Sequence, residues 1–229
     1  MHTSKILLLF ALAWSLARAQ GAGPGQSALE TDPNGWMDIQ PSAGLIGWTR
    51  ITIPPGKTLG RPQWHVESSG KLLVCDGDGG HEMLRYDREC RDCIFHVEFR
   101  FVPVTGTNQN YNSGVFIRNS ADGATWNQAQ LTMDGGYWFG AGPVNGEMKR
   151  YHLKPAERRM KPAGEWDTIE VTAHGNTLSA WFNGAVTCTY TDCEQSKGYV
   201  ALESEGYKIE FRNLKLKMEP AFLDDKVRR

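Results

Sequence analysis

The chain has 229 residues, 40% of them hydrophobic and 22% charged, with a formal net charge of −1. Without residues 1–19, interpreted below as a signal peptide, 23 basic residues face 26 acidic ones, a formal charge of −3. This balance argues against a nucleic-acid or anionic-membrane partner, because both require a basic excess. The remaining length fits a single sandwich or barrel domain.

The N-terminus has the features of a secretory signal peptide. Lys5 supplies a positive charge, residues 6–16 form an apolar run, and Ala17 and Ala19 offer a cleavage site of small residues. The run is shorter than the about 20 residues that span a bilayer. We therefore predict a cleaved signal peptide over 1–19, a secreted or periplasmic location and no stable membrane insertion.

Three further segments are predicted along the chain. Residues 20–35 are rich in Gly, Pro and small polar residues, which predicts a flexible leader. Residues 36–218 form one β-sandwich domain, because alternation with a period of two between turn signals dominates there. Residues 219–229 are a C-terminal tail.

The strand predictions rest on this alternation. In residues 94–101, every second side chain from Phe95 to Phe101 is apolar, so these side chains share one face. In residues 112–118, Val115 and Ile117 are expected to be buried, with Asn112 and Arg118 on the opposite face. Further strands are predicted at 128–132, 167–173, 177–182, 199–203 and 208–218.

Short antiparallel strands at this spacing predict an all-β sandwich of two sheets or a jelly roll. The predicted outward-facing side chains are rich in amides and guanidinium groups, which offer several hydrogen bonds each and suit neutral polyols. They are Glu98, Arg100, Asn112, Arg118, Gln128 and Gln130.

The five cysteines do not identify a chemistry. Cys188 and Cys193 flank a turn-rich stretch, and we predict a disulfide between them. The Cys90-Arg91-Asp92-Cys93 spacing suits a redox pair or half a zinc site, but without a second ligand pair structural thiols or a disulfide are favoured.

Three other motifs fail as known sites. Residues 76–80 begin like a calcium loop, but the sixth and twelfth positions, His81 and Asp87, do not fit an EF-hand. Residues 81–85 lack the second His of a zinc protease. The basic stretch 149–161 is expected to be a solvated loop that could bring a cation to a site.

Five segments together carry a family resemblance. They are YNSGVFIR (111–118), KPAGEW (161–166), WFNG (181–184), GYVALESEG (198–206) and IEFRNL (209–214). In this order and spacing the chain resembles the 3-keto-disaccharide hydrolase family from about residue 48 to residue 218. The resemblance implies a concanavalin A-like jelly roll whose concave sheet holds the site. It also implies action on glycosides already oxidised at C3.

A ketone at C3 acidifies the C2 hydrogen, so a base can remove that proton and the resulting enediolate can expel the C1 substituent. Such a site requires a base, a cation or hydrogen-bond donors, and a proton source. We expect Glu205 or Glu203 to be the base, because the two share a strand face, and Arg118 to stabilise the enediolate. The expected substrate-binding residues are Asn112, Gln128, Gln130, Glu98 and Trp181. No metal ligand is predicted, although a divalent metal could act as electrophile.

The chain departs from the pattern of many family members. Gln128 stands where many carry Glu, and Ala180 where many carry His before the Trp-x-Asn-Gly turn. Two functions therefore stay open: an exported enzyme that cleaves 3-keto glycosides by C2 deprotonation, and a non-catalytic carbohydrate-binding module. A direct glycosidase is disfavoured, because no strand carries closely spaced carboxylates of the Glu-x-Asp-x-x-Glu kind.

Overall fold

The computed structural model describes residues 25–106, 109–133 and 135–219. The predicted signal peptide and all of the tail except Glu219 lie outside these residues. The described residues contain a four-residue helix, α1 (Ala28–Thr31), and fifteen strands. The strands are β1 (Trp36–Asp38), β2 (Trp48–Thr52), β3 (Trp64–Val66), β4 (Leu73–Cys75), β5 (Glu82–Tyr86), β6 (Cys93–Phe101), β7 (Asn112–Asn119), β8 (Trp126–Thr132), β9 (Trp138–Val144), β10 (Glu147–Leu153), β11 (Asp167–His174), β12 (Thr177–Phe182), β13 (Ala185–Tyr190), β14 (Tyr199–Ser204) and β15 (Ile209–Met218).

The strands form two antiparallel sheets. The front sheet has the order β10-β9-β8-β7-β14-β5-β2. The back sheet has the order β13-β12-β11-β6-β15-β4-β3, and β1 pairs with β15. Strands that neighbour each other in a sheet are often distant in the chain, as where β14 lies between β7 and β5. The prediction of an all-β sandwich of two antiparallel sheets is confirmed.

The core fills the space between the inner faces of the two sheets. From β6 of the back sheet, Phe95, Val97, Phe99 and Phe101 are all buried there, as the alternation predicted. Val115 of the front sheet belongs to the same core. Burial of apolar side chains is the dominant favourable term in folding, so this layer explains why the two sheets pack together.

Strict alternation breaks down at one position of β7. Phe116 pairs with Ala201, whereas Asn119 pairs with Tyr199, so β7 has one residue more than β14 between these pairs. Such a bulge re-aims side chains. Arg118 lies in it with φ of 54°, in the left-handed region. The prediction that Arg118 shares a face with Asn112 is therefore wrong.

The described part of the predicted flexible leader is docked on the back sheet. Ser27 and Glu30 form a capping box around α1. The carboxylate of the buried Glu170 accepts hydrogen bonds from Ala28 N at 2.6 Å and from Leu29 N at 3.0 Å. The carboxylate that accepts these hydrogen bonds thus lies about 140 residues away in the sequence.

The cysteine prediction is wrong in its pairing. Cys90 and Cys93 form a disulfide, whereas Cys75, Cys188 and Cys193 are buried free thiols. Cys188 is in β13 and its thiol points to the carbonyl of Leu153 on β10. Cys193 lies after the end of β13, and its thiol points to the carbonyl of Gln195 instead of to Cys188.

The predicted basic loop is in part a strand. Residues 147–153 form β10 at the edge of the front sheet, paired with β9 from Glu147 to Leu153. Edge strands tolerate charge, because one side of the strand faces solvent. None of the described residues belongs to a helix long and apolar enough to cross a membrane.

Candidate functional site

The outward face of the front sheet carries a groove of about 890 Å³. The strand register places its residues on one face: Gln128 lies opposite Phe116 and Phe139, Gln130 opposite Gly114, and Met83 opposite Glu203. The groove therefore runs across β9, β8, β7, β14 and β5.

Six polar side chains form a closed ring of contacts in this groove. Glu203 Oε1 lies 2.9 Å from His81 Nε2, and Glu203 Oε2 accepts from Gln128 Nε2 at 2.5 Å. Gln128 Nε2 also donates to Gln130 Oε1 at 2.9 Å, and Gln130 donates to Asn112. Asn112 Nδ2 donates to Glu205 Oε2 at 2.5 Å, and Glu205 Oε2 lies 3.9 Å from His81 Nε2. We call these six residues the polar ring.

A glycine makes room for the polar ring. A Cβ atom on Gly114 would lie 2.0 Å from Gln128 Nε2 and 2.5 Å from its Cδ. The bare backbone of β7 is therefore what lets the Gln128 side chain cross from β8 to Glu203 on β14. Close approach of a side chain to backbone is a common reason for glycine inside a strand.

The two carboxylates of the polar ring differ in environment. The Glu203 side chain is only 4% exposed, whereas the Glu205 side chain is 39% exposed. Burial raises the pKa of Glu203, and the charge of Glu205 adds to this, against the opposing hydrogen bond from His81. Glu205 thus opens onto the groove, and Glu203 forms its floor.

His81 lies between these carboxylates with its side chain 36% exposed. Burial lowers the pKa of His81, but the hydrogen bond to Glu203 and the charges of both glutamates raise it, and the net change is upward. The two carboxylates thus favour the protonated imidazole, which can donate a proton. The imidazole nitrogen and carboxylate oxygens of His81, Glu203 and Glu205 all lie within 4.8 Å of one another, as in metal sites.

The rest of the groove is mainly apolar and aromatic. Phe116 and Trp126 continue the face beyond Gln128, and Phe139 lies beside them on β9. Arg150 and His152 of β10 line the far edge. The basic stretch thus brings a cation to the groove, although from a strand rather than from a loop.

Arg118 does not reach the polar ring. Its side chain is fully buried, and its guanidinium donates to Asp92 Oδ1 at 2.7 Å and to the carbonyls of Arg91, Gly175 and Gln195 at 2.6–3.0 Å. The bulge in β7 turns the side chain toward these loops. Arg118 therefore ties segments together, and its predicted role as the enediolate stabiliser is not supported by its position.

Glu98 and Trp181 are likewise outside the groove. Glu98 is in β6 of the back sheet, where its carboxylate accepts from Arg212 Nε at 2.7 Å and Asn213 Nδ2 at 2.8 Å. Trp181 is in β12 of the back sheet, opposite Glu170 in register. Glu98 faces outward as predicted, but the alternation of a single strand could not show which sheet carries the site.

Ala180 does not bear on the groove either. Its side chain packs in the core from β12 of the back sheet. The departure from the family pattern at this position therefore removes no group from the polar ring. Gln128, in contrast, is part of the ring, so the exchange of Glu for Gln there does change its chemistry.

His81 was missed as a site residue. In the sequence, His81 stands out only as part of an incomplete calcium loop and of an incomplete zinc-protease motif. Its role follows from the pairing of β5 with β14, in which Glu82 lies opposite Ser204 and Met83 opposite Glu203. The local sequence gave no signal for this pairing, because the two strands are more than 110 residues apart.

Comparison with solved structures identifies the fold as a jelly roll. A candidate glycosyl hydrolase from Parabacteroides distasonis is 17% identical with a TM-score of 0.58, over 83% of this chain and 97% of that chain. The carbohydrate-binding module CBM66 from Bacillus subtilis is 16% identical with a TM-score of 0.54, over 75% and 95%. The β-glucanase of Bacillus licheniformis is 11% identical with a TM-score of 0.53, over 81% and 97%.

The sequence itself was also compared with known proteins and families. A search of curated proteins found no significant match. The profile of the 3-keto-alpha-glucoside-1,2-lyase-like domain matches residues 32–217, from just before β1 to the penultimate residue of β15. The matched range includes all six residues of the polar ring. The chain therefore belongs to the 3-keto-alpha-glucoside-1,2-lyase-like domain family.

Proposed function

We propose that the protein is an exported enzyme that cleaves 3-keto glycosides by removing the C2 proton and expelling the C1 substituent. Membership of the family indicates a carbohydrate-active domain. The observation that carries the catalytic proposal is the group of His81, Glu203 and Glu205 at the floor of the groove. It combines an exposed carboxylate, a buried carboxylate and an imidazole within contact distance of one another.

Glu205 is the better candidate for the base. Its carboxylate opens onto the groove, and Asn112 Nδ2 holds one of its oxygens at 2.5 Å. Glu203 is buried and already contacts His81 and Gln128, so it is less accessible to a substrate. A base must come within hydrogen-bond reach of the proton that it removes, which favours the exposed group.

His81 is the candidate proton source for the leaving oxygen. Glu203 fixes the imidazole and, with Glu205, favours its protonated form. The amides of Asn112, Gln128 and Gln130 can donate hydrogen bonds to sugar oxygens and to the enediolate once the substrate replaces some contacts of the ring. Arg118, which the resemblance suggested for this role, is left out.

A divalent cation is compatible with the same three side chains. An imidazole and two carboxylates form a ligand set found for zinc, manganese and iron. His81 Nε2 and one oxygen each from Glu203 and Glu205 would hold the ion, in which case His81 Nε2 would not carry the proton for the leaving oxygen. When bound, the ion would supply a Lewis acid for the ketone or enediolate oxygen.

The second candidate function is a carbohydrate-binding module. The row of three amides, Asn112, Gln128 and Gln130, favours it, because neutral donors and acceptors suit hydroxyl groups without any chemistry. Gln128 in place of a carboxylate also removes one potential base or ligand from the groove.

The decisive assay offers purified protein 3-keto-trehalose and 3-keto-glucosides, first with a chelator and then with zinc, manganese or calcium. We expect turnover that falls at least about 100-fold in Glu205→Gln, the scale of general acid–base catalysis. Glu98→Gln, which changes a carboxylate on the other sheet, is the matched control. If no metal gives turnover while calorimetry detects oligosaccharide binding, the protein is a binding module.

Export is tested separately. The predicted signal peptide covers residues 1–19, so N-terminal sequencing of the mature protein should begin at Gln20. Fractionation should find the protein outside the cytoplasm. Recovery of an uncleaved, cytoplasmic chain would contradict this part of the proposal.

A further inference from the structure

The groove has an apolar wall that the polar ring does not use. Met83, Phe116 and Ala201 form a buried cluster separate from the main core, and Ile51, Ile53 and Trp126 pack against it. The register shows that this cluster is on the groove face, because Met83 lies opposite Glu203 and Phe116 opposite Gln128. The outward face of an antiparallel sheet is usually polar, so an apolar cluster there indicates a binding surface.

Aromatic rings extend this wall toward β9. The rings of Phe116 and Trp126 are 6.5 Å apart at 86°, and those of Trp126 and Phe139 are 4.9 Å apart at 84°. Trp126 and Phe139 are both only half-buried and line the groove. They therefore present aromatic surface that no other described residue covers completely. We call Met83, Phe116, Trp126, Phe139 and Ile53 the apolar wall.

The size of the groove calls for a ligand larger than one sugar ring. A volume of about 890 Å³ is near the upper end of the range of about 300–1,000 Å³ for ligand pockets. The polar ring lies on β14, β7 and β8 and at the start of β5, and the apolar wall follows it along β5, β7 and β8 and reaches β9. A substrate whose sugar contacts the polar ring must therefore extend its C1 substituent or its opposite end along the wall.

We propose that the apolar wall receives an aromatic aglycone, so that the substrates are aryl or arylalkyl 3-keto glycosides. This inference rests on the proposed function of the polar ring. A second sugar ring would bring hydroxyl groups against Ile53, Phe116 and Phe139, whose side chains cannot hydrogen-bond to them, which is unfavourable. Trp126 alone carries a strong donor, its indole N–H. An aromatic ring loses no hydrogen bonds there and can pack edge-to-face on Trp126 and Phe139.

The reaction with such a substrate balances without any further reagent. The C2 proton passes to Glu205, the C1–O bond breaks, and the departing oxygen takes a proton from His81. The products are the free phenol or arylalkyl alcohol and a 2-hydroxy-3-keto glycal, to which water can add at C1.

The test compares benzyl and methyl 3-keto-glucosides, whose leaving alcohols are similar in acidity and differ in the ring. We expect kcat/KM to be about 30-fold higher for the benzyl compound, or about 2 kcal/mol at about 1.4 kcal/mol per tenfold. A 3-keto disaccharide should resemble the methyl compound. Equal values for benzyl and methyl, or a preference for the disaccharide, would overturn the inference.

Substitutions in the apolar wall test whether it causes the preference for the benzyl over the methyl compound. In Phe139→Ala the benzyl-to-methyl ratio should fall toward one, and in Phe139→Leu, which keeps most of the packing volume, it should fall part of the way. Val186→Ala, which shortens an exposed apolar residue of the back sheet, is the matched control and should keep the ratio. An unchanged ratio in a folded Phe139→Ala protein would also contradict the assignment.

A binding measurement tests the aromatic subsite independently of the proposed catalytic function. If no 3-keto substrate is turned over, the proposed function fails, and calorimetry with unoxidised benzyl and methyl glucosides then tests the wall alone. Tighter binding of the benzyl compound by about 30-fold would support an aromatic subsite. Equal affinity would contradict it.

Discussion

Replacement of Gly114 by alanine should disrupt the polar ring through one atom. The new Cβ would lie 2.0 Å from Gln128 Nε2 and 2.5 Å from its Cδ, whereas carbon contacts normally lie at about 3.5–4.0 Å. The Gln128 side chain must then leave β7 and lose its hydrogen bonds to Glu203 and Gln130. A bond to a charged acceptor contributes about 1.5–3 kcal/mol and a neutral one about 1 kcal/mol.

The energies of these hydrogen bonds give the expected loss in the free energy of unfolding. The two lost hydrogen bonds together cost about 2.5–4 kcal/mol. Replacing glycine by alanine at an ordinary φ returns up to about 1 kcal/mol, because it restricts the unfolded chain. Gly114→Ala should therefore lower the free energy of unfolding by about 1.5–4 kcal/mol.

Urea denaturation of two glycine variants measures this effect. Gly142, also in a strand of the front sheet, is the matched control, because the nearest atom to its added Cβ would be Gln195 Oε1 at 3.4 Å. Gly142→Ala should leave stability within about 1 kcal/mol of the original protein. In a Gln128→Ala background, Gly114→Ala should cost little, because the obstructing side chain is gone. Equal stabilities for Gly114→Ala and Gly142→Ala would show that the Gln128 side chain does not depend on the missing Cβ of Gly114.

Three further predictions concern buried charged groups. In Glu203→Gln the pKa of His81 should fall, because the carboxylate that favours the imidazolium is removed; an NMR titration of the ring protons that shows no change would contradict this. Burial raises the pKa of Asp167 to about 6, so the free energy of unfolding should fall by about 3 kcal/mol as pH rises from about 3 to about 7, because the folded state binds the proton more tightly than the unfolded state. Asp167→Asn should abolish this slope in urea titrations at several pH values, and a slope that persists would assign it to another group. Arg118→Met should lower the free energy of unfolding by about 3–5 kcal/mol, because it leaves Asp92 and three carbonyls without their partner, while the folded fraction still binds ligand; selective loss of binding in a stable Arg118→Met protein would return Arg118 to the site.

The sequence alone was sufficient to predict the strands with clear alternation. The predicted ranges 94–101, 112–118 and 177–182 agree with β6, β7 and β12 within one residue at either end. The strands β9 and β10 were not predicted, because glycine and proline interrupt the first and charged residues occupy the second. A central strand has a visible pattern of apolar residues, because one or both of its faces are buried. An edge strand can lack this pattern, because its hydrogen bonds to one neighbouring strand keep it in the sheet.

Some residues of the candidate site could likewise be predicted from the sequence, and others could not. Asn112, Gln128, Gln130, Glu203 and Glu205 were all predicted, and the structure brings them together in the polar ring. Alternation was enough here, because it places every second residue of a strand on one face.

The remaining site residues depended on contacts that no local pattern contains. His81 joins the polar ring only because β5 pairs with β14, and Arg118 leaves it because one extra residue in β7 reverses the alternation. Glu98 has the outward position that was predicted for it, but on the back sheet. Side-chain direction is a local property of a strand and can be seen in its sequence. The pairing of strands, the sheet that each strand joins and the position of a bulge depend on packing between distant segments. They become visible only when the whole chain is folded.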